Sequence, residues 1–233
     1  MVVQGHDTAI DRLRHRRETL PEMTELAGVE DSSVATEAAL ADTGARRDEA
    51  ARRQGRAEDD LASIEARIAE VDRRLYSGAV TIPRELQAMQ ADRDLLHQRA
   101  GLLEDEVLDA MGEREPLDES VRALEAERGR LDSEGSRLRA AIVEAQIAID
   151  ADLAAAAAQR AEAAAGLPAD IVSLYERLRT RHGGVGAASL VGGRCQGCHL
   201  TLPATEVDRI KREPPDALVT CDQCGRILVR PEP

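Results

Sequence analysis

The chain has 233 residues, no tryptophan, no phenylalanine and two tyrosines, and charged residues make up 32% of it. A globular core of this length normally contains many aromatic side chains, so the composition is typical of long helices and coiled coils. The net charge of −13 argues against binding of the whole chain to nucleic acid or to an anionic membrane. No apolar run approaches the ~18 residues of a membrane span and the start shows no export signal, so we expect a cytoplasmic protein that does not bind membranes.

The first predicted element is an amphipathic helix with a basic surface. Ile10, Leu13, Arg17 and Leu20 follow a 3-4-3 spacing, which places them in one stripe, and Pro21 then interrupts or kinks the helix. We interpret the basic residues of this segment as a solvated helix face. They are Arg12, Arg14, Arg16 and Arg17.

The next segment is predicted to be the first arm of a coiled coil. From Ala27 to Arg56 the apolar pattern is weak and interrupted by glycines, so we expect a frayed or bent helix there. The pattern then sharpens to a 3-4-3-4 spacing, which predicts a heptad seam, meaning the line of residues that faces the partner helix. The seam residues are Leu61, Ile64, Ile68, Val71 and Leu75.

A short loop at about 77–83 separates this arm from a second one. Ser77-Gly78 is typical of a helix end and Pro83 of a helix start, so the two arms are predicted to form an antiparallel hairpin. In the second arm the spacing of three and four continues from Leu86 to Ile149 without a slip, through Pro116, which predicts a kink inside one helix. Arginines at seam positions 93, 114 and 128 are expected to keep their charged ends in water.

The C-terminal part is predicted to be a small mixed domain. Residues 171–178 have the pattern of a short amphipathic helix that ends at His182-Gly183-Gly184. Residues 185–191, 218–220 and 227–229 are predicted strands, and 206–212 a single helical insert. The predicted fold class is therefore mainly α: a long antiparallel coiled-coil hairpin over 1–167, and a short helix with a small four-cysteine zinc ribbon over 168–233.

All four cysteines lie in this domain, as two C-x-x-C pairs separated by 22 residues. Two residues between thiolates let one tight turn present both sulfurs to one ion, and two such turns supply the tetrahedron that Zn²⁺ prefers. The spacing predicts a structural Zn²⁺ site with the ligands Cys195, Cys198, Cys221 and Cys224. Such a site has no open position, so its metal is expected to hold a fold and not to activate water.

Other uses of the cysteines agree less well with the sequence. A redox dithiol needs a C-x-x-C at a helix start, two disulfides imply an oxidising compartment, and ferredoxin clusters use other spacings. His199 follows Cys198, but with four thiols available we expect it to lie beside the site or at the surface. Gly197 and Gly225 are interpreted as positions where the turns need positive φ.

Basic side chains lie close to the cysteines. Residues 168–233 hold nine basic and eight acidic residues, so the acidity of the chain belongs to its other part. Such cations neutralise phosphates in ribbon modules, and their placement predicts contact with RNA or DNA that is independent of base sequence, since the sequence offers no aromatic residue beside them for base stacking. They are Arg194, Arg209, Lys211, Arg212, Arg226 and Arg230. Docking of a protein partner is the alternative, and self-association into a homo-oligomer is a third interpretation.

No catalytic constellation is visible in the sequence. Gly183-Gly184-Val185-Gly186 lacks the lysine and the following helix of a phosphate-binding loop, and no serine elbow is present. The abundant carboxylates follow helix faces as solvating charge. We therefore expect no catalytic residue, no small-molecule substrate and no enzymatic activity.

Three stretches together resemble one bacterial family. They are Tyr76-Ser77-Gly78 to Ala88, then Leu174–Arg179 with Gly183-Gly184, and Cys195–Pro203 with Cys221–Leu228. Over its whole length the chain resembles the coiled-coil hairpin proteins that end in a C4-type zinc ribbon. The resemblance implies a rod-like hairpin without enzymatic activity, with the four cysteines as metal ligands.

The resemblance also carries an expectation about partners. Members from flagellated or type III-secreting bacteria are described as RNA-binding proteins or as protein chaperones and adaptors, one of them linked to an alternative sigma factor. An RNA role depends on a basic ribbon face, whereas the ribbon is nearly neutral here. The composition, rich in arginine and poor in lysine, suggests an actinobacterial type of host, in which a flagellar role would make little sense.

Overall fold

The computed structural model describes residues 1–214 and 217–230; residues 215–216 and 231–233 of the predicted C-terminal domain lie outside that part. The described helices are α1 (Val2–Glu18), α2 (Pro21–Tyr76), α3 (Pro83–Ala165), α4 (Ala169–Arg181) and α5 (Ala204–Arg212). The described strands are β1 (Ala187–Val191), β2 (Arg194–Cys195), β3 (Val219–Thr220) and β4 (Ile227–Val229). The chain divides into a hairpin unit (Glu25–Arg137) and a ribbon unit (Met1–Thr24 with Leu138–Pro233).

The helix boundaries follow the proline and glycine signals of the sequence. Pro21 begins α2 and Pro83 begins α3, because proline suits the first turn of a helix. Between Ala27 and Arg56, α2 is helical without interruption, so the expected fraying is absent there. Small side chains at Ala50 and Ala57 are almost fully buried, which shows that this stretch packs closely despite its weak pattern.

The hairpin unit is an antiparallel pair of helical arms. Residues 77–82 connect α2 to α3, and Gly78 in this loop has φ +73°. A cluster of buried and partly buried apolar side chains on facing positions holds the arms together and confirms the predicted seam. Its members are Leu61, Ile64, Ile68 and Val71 on α2 with Leu96 and Ala100 on α3. Pro116 lies inside α3, as predicted.

Two of the three seam arginines cross to the opposite arm. Arg93 forms an ion pair with Asp72 (Nε to Oδ1, 2.8 Å), and Arg114 donates a hydrogen bond to Gln54 (Nη1 to Oε1, 2.8 Å). The expectation that their charged ends lie in water is wrong for this pair, since an acceptor on α2 is within reach. Arg128 is exposed, as expected.

The ribbon unit contains a four-stranded sheet in the order β2-β1-β4-β3. The predicted hairpin of β3 and β4 is confirmed, with Val219 opposite Leu228. Two features were not predicted: β2, which pairs antiparallel with β1, and the parallel pairing of β1 with β4. Both escape periodicity, because β2 has two residues and the partners of the parallel pair are far apart in sequence.

Helices from three parts of the chain pack against this sheet. Ile210 of α5 is fully buried in a cluster with residues of all four strands and with Leu202. Tyr175 and Leu178 of α4 pack on Ala187 and Ile227, and Val3 of α1 joins them. Among residues 1–214 and 217–230, no helix is both long enough and apolar enough to cross a membrane.

Candidate metal centre and its basic residues

The two C-x-x-C segments form matching turns. In the first, the N–H of His199 donates to the Cys195 carbonyl (2.8 Å) and the Cys195 N–H donates to the Leu200 carbonyl (3.0 Å). In the second, the N–H of Gly225 donates to the Cys221 carbonyl at 2.7 Å, and the Cys221 N–H donates to the Arg226 carbonyl at 2.8 Å. Each turn therefore folds its two cysteines toward the same point by the same backbone hydrogen bonds.

The residue after each second cysteine has a left-handed backbone. Gly225 has φ +74°, as predicted, and His199 has φ +60°. The prediction of positive φ at Gly197 is wrong, because His199 takes that conformation in the first turn. Gly197 is needed for a different reason: a Cβ there would lie 2.7 Å from Arg226 Cδ and 2.9 Å from Ala188 Cβ.

The four thiols come together with spacing that fits a single ion. The Sγ atoms of Cys195, Cys198, Cys221 and Cys224 all lie within 4.8 Å of one another, and the Cys198–Cys221 pair is 4.0 Å apart. With Zn–S bonds of about 2.3 Å, a tetrahedron places sulfurs about 3.8 Å apart, so the donor set and its size fit Zn²⁺. Zinc is thus the cofactor that this centre fits.

The protein environment shifts the pKa values of the thiols in different directions. Burial raises the pKa of Cys221 to about 12. Burial also opposes ionisation of Cys224, but hydrogen bonds from the backbone and side chain of Arg226 outweigh it and lower that pKa to about 7. For Cys198, the Leu200 N–H favours the thiolate, yet desolvation and the neighbouring thiols leave the pKa raised. A bound cation would compensate the crowding of four sulfurs.

Two of the six predicted phosphate-binding residues form hydrogen bonds within the ribbon unit. The Nε of Arg226 donates to the Val185 carbonyl (2.9 Å). Arg230 donates from Nη1 to the carbonyls of Ile210 (3.1 Å) and Glu213 (2.7 Å) and so closes the segment after α5. Both guanidinium groups satisfy backbone carbonyls, and both side chains are half-buried.

The other four predicted residues are exposed, but two of them have partners. Arg209 forms ion pairs with Glu206 and Asp222, and the Nε of Arg194 donates to the His199 carbonyl (2.8 Å). Lys211 and Arg212, in the last turn of α5, form no ion pair within the described part of the chain. Of the six predicted residues, Lys211 and Arg212 are therefore the two whose charges are available to an external ligand.

A buried polar network was missed by the sequence reasoning. Asp7 of α1 is 2% exposed and accepts hydrogen bonds from the Tyr175 hydroxyl (2.7 Å) and from Arg160 Nε (3.2 Å). Arg179 Nε lies 3.6 Å from Asp7 Oδ1. Burial, and next the contact with Asp7, raises the pKa of Tyr175. A carboxylate three residues before Ile10, on the apolar stripe of α1, was the signal that could have revealed the network.

The comparisons with known proteins agree with this geometry. A model of the CT398-like coiled coil hairpin domain matches residues 3–183, and a model of the C4-type zinc ribbon domain matches residues 194–228. The chain belongs to the CT398-like coiled-coil hairpin family. A relative in this comparison is the uncharacterized protein Rv2229c of Mycobacterium tuberculosis, 30% identical over 97% of this chain and 91% of that protein.

Two solved structures are similar over nearly the whole chain. One is a protein from Mycobacterium smegmatis, with 25% identity and a TM-score of 0.86 over 99% of this chain and 95% of that one. The other is CT398 from Chlamydia trachomatis, with 19% identity and a TM-score of 0.70 over 98% and 94% of the two chains. The second likeness concerns the fold alone. The predicted hairpin-plus-ribbon fold is thereby confirmed.

Proposed function

We propose that the protein is a non-enzymatic, zinc-dependent adaptor of the cytoplasm that binds nucleic acid through its ribbon unit. The observation that carries this proposal is the position of Lys211 and Arg212 at the exposed end of α5. Ile210, the residue before them, is 0% exposed and packs in the same cluster as Cys195 and Cys221. The metal centre and the two cations are thus parts of one small folded body.

In this proposal the four cysteines ligate one Zn²⁺, and the metal acts only on the fold. A centre with four protein ligands leaves no position for water or substrate. Its binding free energy would stabilise a sheet whose strands have only two to five residues. The cations of α5 would then be held where a phosphate backbone can reach them.

The charge distribution supports contact at the ribbon unit and not at the hairpin unit. The hairpin unit holds 16 basic and 28 acidic residues, a net charge of −12, whereas the ribbon unit holds 15 and 16, a net charge of −1. A polyanion is repelled by the first and meets an almost neutral surface with local cations in the second. The acidity of the whole chain is therefore compatible with a nucleic-acid site in the ribbon unit.

The test is a titration of the zinc-loaded protein with labelled mixed-sequence RNA and DNA at several salt concentrations. We expect a steep loss of affinity with salt, and a slope shallower by about 1.4 in the Lys211→Ala/Arg212→Ala variant, since each single-strand phosphate contact contributes about 0.7. Arg67→Ala/Arg74→Ala, two exposed residues of the hairpin unit, is the matched control. Absence of binding at low salt would overturn the proposal.

A role as a protein adaptor is the second candidate function, and the loop between α2 and α3 supports it. Tyr76, the last residue of α2, and Ile82, the last residue of this loop, are 74% and 60% exposed. Exposed apolar groups of this size are common at protein contacts. This function requires a partner whose binding depends little on salt and is lost in Tyr76→Ser/Ile82→Ser but kept in Lys211→Ala/Arg212→Ala.

A further inference from the structure

A second group of cations lies on α1, in the part of the chain that sequence reasoning treated as a solvated face. Arg12, His15 and Arg16 line an open hollow of about 480 Å³ together with the turn at 183–185 that follows α4. Thr8, Asp11 and Thr19 complete the lining. All of these residues belong to the ribbon unit.

The cations of the hollow are available because Asp7 and Asp11 of α1 are engaged by other residues. Asp11, the acidic residue of the lining, accepts hydrogen bonds from Arg179 Nη2 at 2.9 and 3.0 Å. Asp7 is buried against Tyr175 and lies within ion-pair distance of Arg179 as well. Neither Arg12 nor Arg16 forms an ion pair within residues 1–214 and 217–230. The hollow therefore carries an excess of positive charge in a chain that is acidic overall.

The turn at 183–185, which forms the wall of the hollow opposite α1, is held by three hydrogen bonds. Gln4 Nε2 donates to the Gly184 carbonyl, the Gly184 N–H donates to the Arg179 carbonyl, and Arg226 Nε donates to the Val185 carbonyl, each at 2.9 Å. Gly184 has φ +99°, which favours glycine, and a Cβ there would lie in a tight contact 3.0 Å from Asp11 Oδ2 of α1. A site with a fixed wall binds with a smaller entropy cost.

We propose that this hollow binds a phosphate group of a nucleic-acid backbone, as part of the nucleic-acid binding proposed above. Arg12 and Arg16 are one helical turn apart, so both guanidinium groups reach the same side of α1. Planar guanidinium groups match phosphate oxygens in paired hydrogen bonds. The lining lacks aromatic side chains for base stacking and is open to solvent, which suits a strand that passes across it and not an enclosed metabolite.

The experiment uses full-length zinc-loaded protein and labelled mixed-sequence RNA. In Arg12→Ala/Arg16→Ala we expect a salt slope shallower by about 1.4 and an affinity about 25-fold lower at 0.1 M salt, from the loss of two phosphate contacts. Arg12→Lys/Arg16→Lys should keep most of the slope, because the charge remains. Arg67→Ala/Arg74→Ala should behave as the wild type, and unchanged circular dichroism and zinc content must accompany every variant.

The possible results separate this inference from the proposed function. Loss of slope in the Lys211→Ala/Arg212→Ala variant alone would overturn the α1 site and leave the function intact. An equal loss in the Arg67→Ala/Arg74→Ala control would also overturn it, since the effect would then be one of general charge. If inorganic phosphate shifts the NMR signals of residues 12–16 while Arg12→Ala/Arg16→Ala binds RNA normally, the hollow takes free phosphate and the inference is wrong.

Discussion

The two C-x-x-C turns differ at one backbone position, and the difference has a measurable cost. His199 and Gly225 have the same left-handed conformation, but only glycine adopts it without a steric penalty. The side chain of His199 is outside the group of four thiols that could hold a metal. The first turn therefore carries a strained residue that the metal centre does not need.

Replacement of that residue gives the first prediction. His199→Gly should retain one zinc per chain and raise the stability of the ribbon by about 1 kcal/mol, because the penalty of positive φ is removed. Gly225→Ala should have the opposite sign and a similar size. Both changes can be measured by unfolding of the zinc-loaded protein and by competition with a chelator. A loss of zinc in His199→Gly would show that the histidine is a ligand.

At single residues, local sequence patterns predict the metal site but not the contacts between distant segments. The spacing of four cysteines was sufficient to predict a shared site, because two close pairs in one small domain have few other uses. The reason for Gly197 was not predictable, because its constraint comes from Arg226 and Ala188, which are distant in sequence. The same holds for Arg226 and Arg230, since the carbonyls that they satisfy belong to other segments.

At the scale of elements, the ribbon and the hairpin are stabilised by different means. The arms of the hairpin unit bury a repeated seam, and this local periodicity explains why both helices and their connection could be predicted. The sheet of the ribbon unit has strands of two to five residues, and Cys195 and Cys221 lie inside its core cluster. The order of the strands in this sheet depends on long-range pairs such as β1 with β4, which no local periodicity indicates.

This difference predicts independent loss of the two elements. Cys221→Ser/Cys224→Ser should unfold the ribbon, because removal of zinc binding withdraws the main contribution to its stability. The long helices should remain, since their seam does not involve the metal. Amide exchange should then be fast over 187–230 while helical circular dichroism falls only slightly. Retention of zinc and of ribbon protection in the double variant would contradict this prediction.

At the scale of the whole molecule, charge is divided between the units and not spread evenly. Twelve of the thirteen excess negative charges belong to the hairpin unit. In the ribbon unit Asp7 and Asp11 of α1 are engaged by Arg160 and Arg179, and cations of α1 and α5 are exposed. The net charge of the chain by itself argues against nucleic acid as a partner, whereas the exposed cations of the ribbon unit support the contact proposed above.

The last prediction follows from this division. When the zinc-loaded protein binds RNA at low salt, amide exchange should slow in α1, in the turn at 183–185 and in α5, because these segments carry the available cations. Exchange in residues 60–120 of the hairpin unit should be unchanged, since its net charge of −12 repels the strand. Protection of the hairpin with none in α1 or α5 would contradict a nucleic-acid site in the ribbon unit. A parallel measurement at 0.5 M salt should abolish the protection, because exposed charges are screened over about 4 Å there.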